Sequence, residues 1–214
     1  MSQDLVILFA AGMLVTAYLM VGQRALFTAI RLYALQSMLL GGVAVVMGLT
    51  HNRSHLLASA ALTIGLKGLL IPWFLMRVID RIGIHREIEP ILNVPASLLI
   101  CLGLTVVGYR VSARLADGAG AAHHVIGVSL SMLLMGLFLM VTRRKAVTQI
   151  LALLTVENSV FLVALGATTG MPLIVELGIS FDVIVAVMVL GVLVNRIVDR
   201  FESMDVSRLS KLKG

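Results

Sequence analysis

The sequence predicts an all-α, polytopic membrane protein with seven transmembrane helices. Of the 214 residues, 59% are hydrophobic and only 13% are charged, and the mean hydropathy is +1.04. A soluble domain typically carries roughly 25% charged residues, because it must cover a large surface with polar groups. The composition therefore argues against a soluble globular enzyme, a disordered protein and a nucleic-acid-binding domain.

Seven apolar stretches are long enough to cross a bilayer core, for which a helix needs about 20 residues. In chain order they are 5–22, 25–49, 56–78, 94–113, 121–141, 146–168 and 173–195. Lipid offers no water to backbone polar groups, so each stretch is expected to be a helix. Pro72 is the only proline well within a predicted span, and the sequence gives no sign of a broken helix.

The basic residues predict the orientation of these spans. Twelve of the 17 Lys and Arg residues lie on the side that holds the C-terminus, three lie on the opposite side, and Arg31 and Lys67 lie within spans. Lys and Arg are in excess on the cytoplasmic side of membrane proteins. We therefore expect the N-terminus outside and the C-terminus in the cytoplasm, with no cleavable signal peptide.

Two pairs of similar segments indicate an internal duplication. Residues 18–24 resemble residues 138–144 at an offset of 120, and residues 77–82 resemble residues 196–201 at an offset of 119. We expect a duplicated three-helix unit with the fourth span as a spacer. The alternative is that these short motifs simply recur at cytoplasmic helix ends. The expected organisation is an N-terminal unit 1–82, a cytoplasmic loop and spacer helix 83–117, and a C-terminal unit with a short cytoplasmic tail 118–214.

Charged residues inside the predicted spans are the candidate functional residues, because a charge at the bilayer centre costs at least ~2.5–3.5 kcal/mol. Glu157, Asp182 and Lys67 lie near the middle of their spans, whereas Glu176 and Arg31 lie nearer the ends. Arg31 can extend its side chain to the interface, and Glu176 can lie in the outer headgroup region. For the three deep residues two interpretations remain open. One is a buried ion pair, for instance Lys67 with Asp182; the other is a lateral proton relay.

The segment from Arg143 to Ser159 resembles the K subunit of the respiratory NADH:quinone oxidoreductase. There, a basic cytoplasmic loop leads into a helix that carries a mid-membrane glutamate. The C subunit of multi-subunit cation/proton antiporters has the same plan, and both match about residues 121–200. The chain length, the extra N-terminal spans, the Val156-Glu157-Asn158 motif and the spacing of Glu176 and Asp182 are most similar to hydrogenase-4 component E, a membrane subunit of formate hydrogenlyase-type complexes.

This resemblance implies a non-catalytic membrane subunit of a redox-driven, proton-translocating complex in a prokaryotic inner membrane. The implied partners are larger antiporter-like subunits and the lipid bilayer. Glu157 matches the first relay glutamate of the K subunit, and Asp182 is preferred over Glu176 for the second. Lys67 is a third relay candidate. The repeat alignment puts Gln36 near the position that matches Glu157, which makes Gln36 an auxiliary candidate. Arg31 is the other auxiliary candidate.

No cofactor or metal is expected, because the sequence has no buried histidine pair for haem and no cysteine cluster for iron–sulfur. Its single cysteine, Cys101, lies in an apolar stretch. Two other classes of function remain as alternatives. A small autonomous transporter, or a subunit of a cation/proton antiporter, would suit a parallel repeat. A membrane-embedded enzyme lacks a recognisable metal motif or a Ser/His pair at membrane depth.

Overall fold

The computed structural model describes residues 2–50, 52, 54–82, 92–115, 121–144 and 146–167. Every regular element within these residues is helical. The elements are α1 Ser2–Gly22, α2 Leu26–Thr50, α3 Ser54–Leu62, a π-helical segment π1 Thr63–Leu70, α4 Ile71–Ile82, α5 Val94–Leu115, α6 Ala121–Thr142 and α7 Ala146–Ala167. Because α3, π1 and α4 follow one another without a break, they form one composite third span.

Six helices in the described part of the chain are long and apolar enough to cross a membrane. They coincide with the first six predicted spans and make the chain a multi-pass membrane protein. The third span is longer at both ends than the predicted 56–78, since it runs from Ser54 to Ile82. The predicted seventh span, 173–195, lies outside the described residues.

Short connections force successive helices into antiparallel hairpins. Residues 23–25 join α1 to α2, and residues 143–145 join α6 to α7. In the connection between α2 and α3, Asn52 has a φ of 50°, a left-handed conformation that asparagine tolerates better than most residues. Arg143, which directly follows α6, donates to the carbonyls of Val21 and Gln23 at the end of α1, so the two hairpins have these connections on the same side. We call this the hairpin side of the molecule; it is the predicted cytoplasmic side.

The hairpin α1–α2 packs side by side with the hairpin α6–α7, so that α1 lies against α6 and α2 lies against α7. Helix α5 packs on α6 and α1, and the third span packs on α2. Small residues allow close approach where apolar helices meet in a membrane. Gly136 of α6 is one of them, because a Cβ there would lie 2.6 Å from Val156 Cγ2 of α7.

A buried apolar cluster on the hairpin side determines where the third span meets α7. It joins side chains of α1, α2, α4 and α7: Met20, Leu26, Ala29, Ile30, Tyr33, Ile71, Leu75, Ile79, Ile150, Leu151 and Leu154. Burying large aliphatic side chains stabilises such a contact through close packing. Helix α4 packs on α2 within this cluster, and π1, which directly precedes α4, lies beside the middle of α7.

Candidate functional site

The third span carries its lysine on a stretch of π-helix. The N–H of Ile71 donates to the carbonyl of Leu66, five residues earlier, rather than to the residue four earlier. Pro72 follows immediately; it has no N–H, and a proline ring clashes with the carbonyl four residues before it. In a regular α-helix the carbonyl four residues before Pro72 is that of Gly68, which lies within the wider turn. π-Helical turns are rare and often occur at functional sites, and here the turn contains Lys67.

Lys67 forms a buried ion pair with Glu157 of α7. The Lys67 Nζ lies 3.2 Å from Glu157 Oε1, and the two side chains are only 3% and 2% exposed. Glu157 is the twelfth residue of the 22 in α7, which places it about 16 Å along the helix at 1.5 Å per residue. The ion pair therefore lies midway through the span, where an unpaired charge would be costly.

Asn158, the next residue of α7, connects this ion pair to α2. The Lys67 Nζ donates to Asn158 Oδ1 at 3.4 Å. The Asn158 Nδ2 in turn donates to Gln36 Oε1 and to Ser37 Oγ, both at 3.2 Å. All of these side chains are buried. A buried amide without partners is destabilising, so these bonds fix the rotation of α7 relative to α2 and the third span.

Gln36 extends the same row of hydrogen bonds to α1. Its Nε2 donates to the backbone carbonyl of Met13 at 3.4 Å and to Thr16 Oγ1 at 3.3 Å. The Thr16 hydroxyl donates to the same Met13 carbonyl at 2.7 Å. Four spans thus contribute to one polar cluster near mid-membrane. Its members are the Met13 carbonyl, Thr16, Gln36, Ser37, Lys67, Glu157 and Asn158.

Only two members of this cluster, Lys67 and Glu157, are acids or bases that titrate in proteins. Transfer of one proton from Lys67 Nζ to Glu157 Oε1 would convert an ammonium and a carboxylate into an amine and a carboxylic acid. The net charge of the pair stays zero in both states, which keeps the cost of the exchange low in an apolar interior. Within the described residues no group of three His, Cys, Asp or Glu could hold a metal ion.

The structure brings together some of the predicted site residues and separates another. Lys67, Glu157 and Gln36 meet in the cluster. Arg31 lies outside it, because it is nearer the hairpin side on α2 and its side chain is exposed. Asp182 and Glu176 lie outside the described residues. Glu157 is compensated by a lysine of the same chain, so its charge needs no partner subunit to cover it.

Asn158, Ser37 and Thr16 were not predicted as site residues. They are uncharged, and burying an uncharged polar side chain costs less than burying a charge. Their presence in an apolar span is therefore a weaker sign of function. One sequence signal could have found two of them. At an offset of 121, Gln36-Ser37 aligns with Glu157-Asn158, and each of these dipeptides is unusually polar for the middle of an apolar span.

A second polar contact joins the two hairpins at their connections. Arg143, only 6% exposed, donates from one guanidinium nitrogen to the carbonyls of Val21 at 2.6 Å and Gln23 at 3.3 Å. Gln149 Nε2 donates to the Arg143 carbonyl at 3.0 Å. Because the last carbonyls of a helix have no partner within it, the guanidinium supplies the end of α1 with donors and holds the hairpins together.

Two curated relatives cover nearly the whole chain. The uncharacterized protein Rv0085 of Mycobacterium tuberculosis is 35% identical over 208 residues, which are 96% of this chain and 94% of the relative. Hydrogenase-4 component E of Escherichia coli strain K12 is 27% identical over 209 residues, which are 96% of this chain and 95% of the relative. No protein-family model and no solved structure matches the chain.

Proposed function

Because the chain belongs to the family of the mycobacterial protein Rv0085 and is similar along its length to hydrogenase-4 component E, we propose that it is a non-catalytic membrane subunit of a hydrogenase-type or complex I-like assembly. Its role there is to hold and pass protons within the membrane, between larger antiporter-like subunits. Lys67 and Glu157 are the residues that carry the proton.

The observation that carries this proposal is the buried ion pair itself. Lys67 Nζ and Glu157 Oε1 lie within 3.2 Å of each other at mid-membrane, almost completely shielded from the surroundings. Ionisable groups within membrane spans are rare and mark ion or proton pathways. The two groups can exchange a proton without a change in the net charge of the pair. Such a pair suits a relay that accepts protons from one side and releases them to the other.

The relay runs in three steps. Glu157 accepts the proton of Lys67, the neutral carboxyl of Glu157 then releases that proton to the next carrier, and the amine of Lys67 accepts a new proton from the supplying side. Asp182 and Glu176, on the predicted seventh span, are proposed to continue the path towards a neighbouring subunit. Asp182 is the second principal carrier, and Glu176, nearer the outer surface, is an accessory one. In this scheme the protein supplies no redox chemistry of its own. Electron transfer in other subunits drives the movement of protons.

Replacement of the lysine tests the proposed function. In Lys67→Met, the assembled complex is expected to keep its redox activity and to lose proton translocation in inverted membrane vesicles. Arg31→Met is the matched control, since it also removes a cation from an apolar span but lies outside the cluster. Copurification of hydrogenase-type or antiporter-like subunits with the tagged chain tests its membership of such a complex. Unchanged translocation in Lys67→Met would contradict the relay.

The double variant distinguishes a relay from a purely structural ion pair. In either case Glu157→Gln leaves the lysine buried without its counter-charge, which destabilises assembly by roughly 3–5 kcal/mol. Adding Lys67→Met should restore assembly, because the double variant contains no buried charge at this site. A relay predicts that the double variant assembles and still fails to translocate protons. Restored translocation in the double variant would exclude the relay.

A further inference from the structure

We propose that Asn158 is a positioning residue that directs its side-chain carbonyl at Lys67. The orientation of Asn158 is set by a row of hydrogen bonds that starts at the backbone carbonyl of Met13 and passes through Gln36. This inference rests on the proposed function, because it assigns how the proton-carrying lysine is held. The row crosses four spans, so the orientation of one amide on α7 is determined by a backbone group on α1.

The α1 end of the row fixes the orientation of Gln36. The Met13 carbonyl can only accept hydrogen bonds. The Thr16 hydroxyl already donates to that carbonyl at 2.7 Å, so its oxygen acts as an acceptor towards Gln36. Two acceptors therefore face the end of the Gln36 side chain, and only its NH2 group can pair with both. The Gln36 Oε1 is consequently turned away from α1.

The orientation of Gln36 fixes that of Asn158. Gln36 Oε1 faces α7 and needs a donor, which is the Asn158 Nδ2 at 3.2 Å. Ser37 Oγ accepts from the same Nδ2 at 3.2 Å. Because the NH2 group of Asn158 is directed at α2, its Oδ1 faces the third span, where Lys67 Nζ donates to it at 3.4 Å.

The opposite orientation of the amides would place a donor against a donor and an acceptor against an acceptor. If Asn158 alone were turned over, its NH2 would face the lysine ammonium, and its oxygen would face Gln36 Oε1. If both amides were turned over, Gln36 Oε1 would face the Met13 carbonyl. Unsatisfied buried donors and acceptors are costly, so one orientation of the row is strongly preferred.

This arrangement gives Lys67 an acceptor that does not titrate. Carboxamides neither gain nor lose a proton near neutral pH, so the row through Asn158 does not itself carry the proton. When Glu157 is protonated and neutral, Asn158 Oδ1 still holds the lysine side chain beside it. The lysine therefore stays within transfer distance through the relay cycle, and the proton leaves along a path other than Asn158, Gln36 and Thr16.

A double-mutant cycle in the assembled complex tests this inference. Gln36→Leu and Asn158→Leu are each expected to lower the protons translocated per turnover at least about fivefold, since Asn158→Leu removes the hydrogen bond to the charged Lys67 and Gln36→Leu removes the bond that directs Asn158 at it. The double variant should be no worse than the single variants, because Gln36 acts through Asn158 and the effects are not additive. Ser159→Ala is the control, expected to change translocation little, because the Ser159 hydroxyl donates to the local Val156 carbonyl and lies outside the row.

An infrared measurement supplies a readout that a scaffold role would leave unchanged. The carboxylate band of Glu157, identified by its loss in Glu157→Gln, should shift alike in Gln36→Leu and Asn158→Leu. If Gln36→Leu fails to assemble, Gln36→Met, which preserves the side-chain length, takes its place. Additive losses, or an unchanged band, would overturn the inference. Full translocation in Gln36→Leu and Asn158→Leu, with none in Lys67→Met, would overturn it while leaving the proposed function intact; full translocation in Lys67→Met would overturn both.

Discussion

Lys67 Nζ of the third span and Glu157 Oε1 of α7 lie 3.2 Å apart in the interior of the molecule. Two features outside the pair bring them together. The π-helical segment from Thr63 to Leu70, shortly before Pro72, contains Lys67, and Leu75 of α4 and Leu154 of α7 belong to the same buried apolar cluster. The pair is therefore part of the packing of the third span, and its geometry is determined by that packing.

Gly108→Ala is predicted to destabilise the packing of α5 on α6. The added Cβ would lie 2.5 Å from Ser131 Oγ and 2.7 Å from Ser131 N, and the backbone atom cannot move aside independently. Overpacking of this kind costs about 1–3 kcal/mol. The measurement is thermal unfolding of the purified complex. Gly103→Ala is the control on the same helix, because its Cβ would meet nothing within 4 Å; equal stability of the two variants would contradict the packing described for α5.

Arg143→Met is predicted to weaken the contact between the two hairpins. The variant loses donors to the carbonyls of Val21 and Gln23, and hydrogen bonds to a charged group are worth about 1.5–3 kcal/mol each. Arg144→Met removes the neighbouring charge, whose side chain is exposed, and should have little effect. Apparent melting temperatures measured in parallel distinguish the two. A larger loss in Arg144→Met would show that charge, rather than capping of α1, matters here.

The orientation of the chain remains a prediction that reporter fusions can test. The excess of basic residues on one side favours a cytoplasmic C-terminus. A fusion at Gly214 should therefore report a cytoplasmic position, and a fusion at Asp117 should report an external one. A cytoplasmic signal at Asp117 would contradict the seven-span arrangement.

Most of the helical architecture could be predicted from hydropathy. The first six spans are found where the apolar stretches lie, because lipid leaves the backbone little alternative to a helix. The π segment before Pro72 was not predicted. A hydropathy pattern shows where a span lies but not whether a given N–H donates four or five residues back, and this depends on how the chain accommodates the proline ring. The duplication of a three-helix unit stays a prediction.

The site was predicted only in part. Lys67 and Glu157 were identified because charges within a span are rare, and Gln36 was identified through the repeat alignment. Their contacts could not be predicted, since these depend on the rotation and packing of helices far apart in the chain. The sequence interpretation offered Asp182 as an example of a partner for Lys67; the structure pairs Lys67 with Glu157, and Asp182 lies outside the described residues. The sequence interpretation placed Arg143 in a basic cytoplasmic loop and gave it no further role, yet its side chain is buried and donates to backbone carbonyls.

Proton translocation by an assembled Glu157→Gln complex tests the central claim most directly. Glutamine keeps the size and an oxygen acceptor of the side chain but cannot take up a proton at neutral pH. The measurement compares proton uptake by inverted vesicles with the redox turnover of the same preparation. Ser159→Ala, a buried hydroxyl of α7 that donates only to the local Val156 carbonyl, is the matched control. We predict that the Glu157→Gln complex that assembles has lost translocation and that the Ser159→Ala complex retains it; normal translocation in the assembled Glu157→Gln complex would contradict the relay role of Glu157.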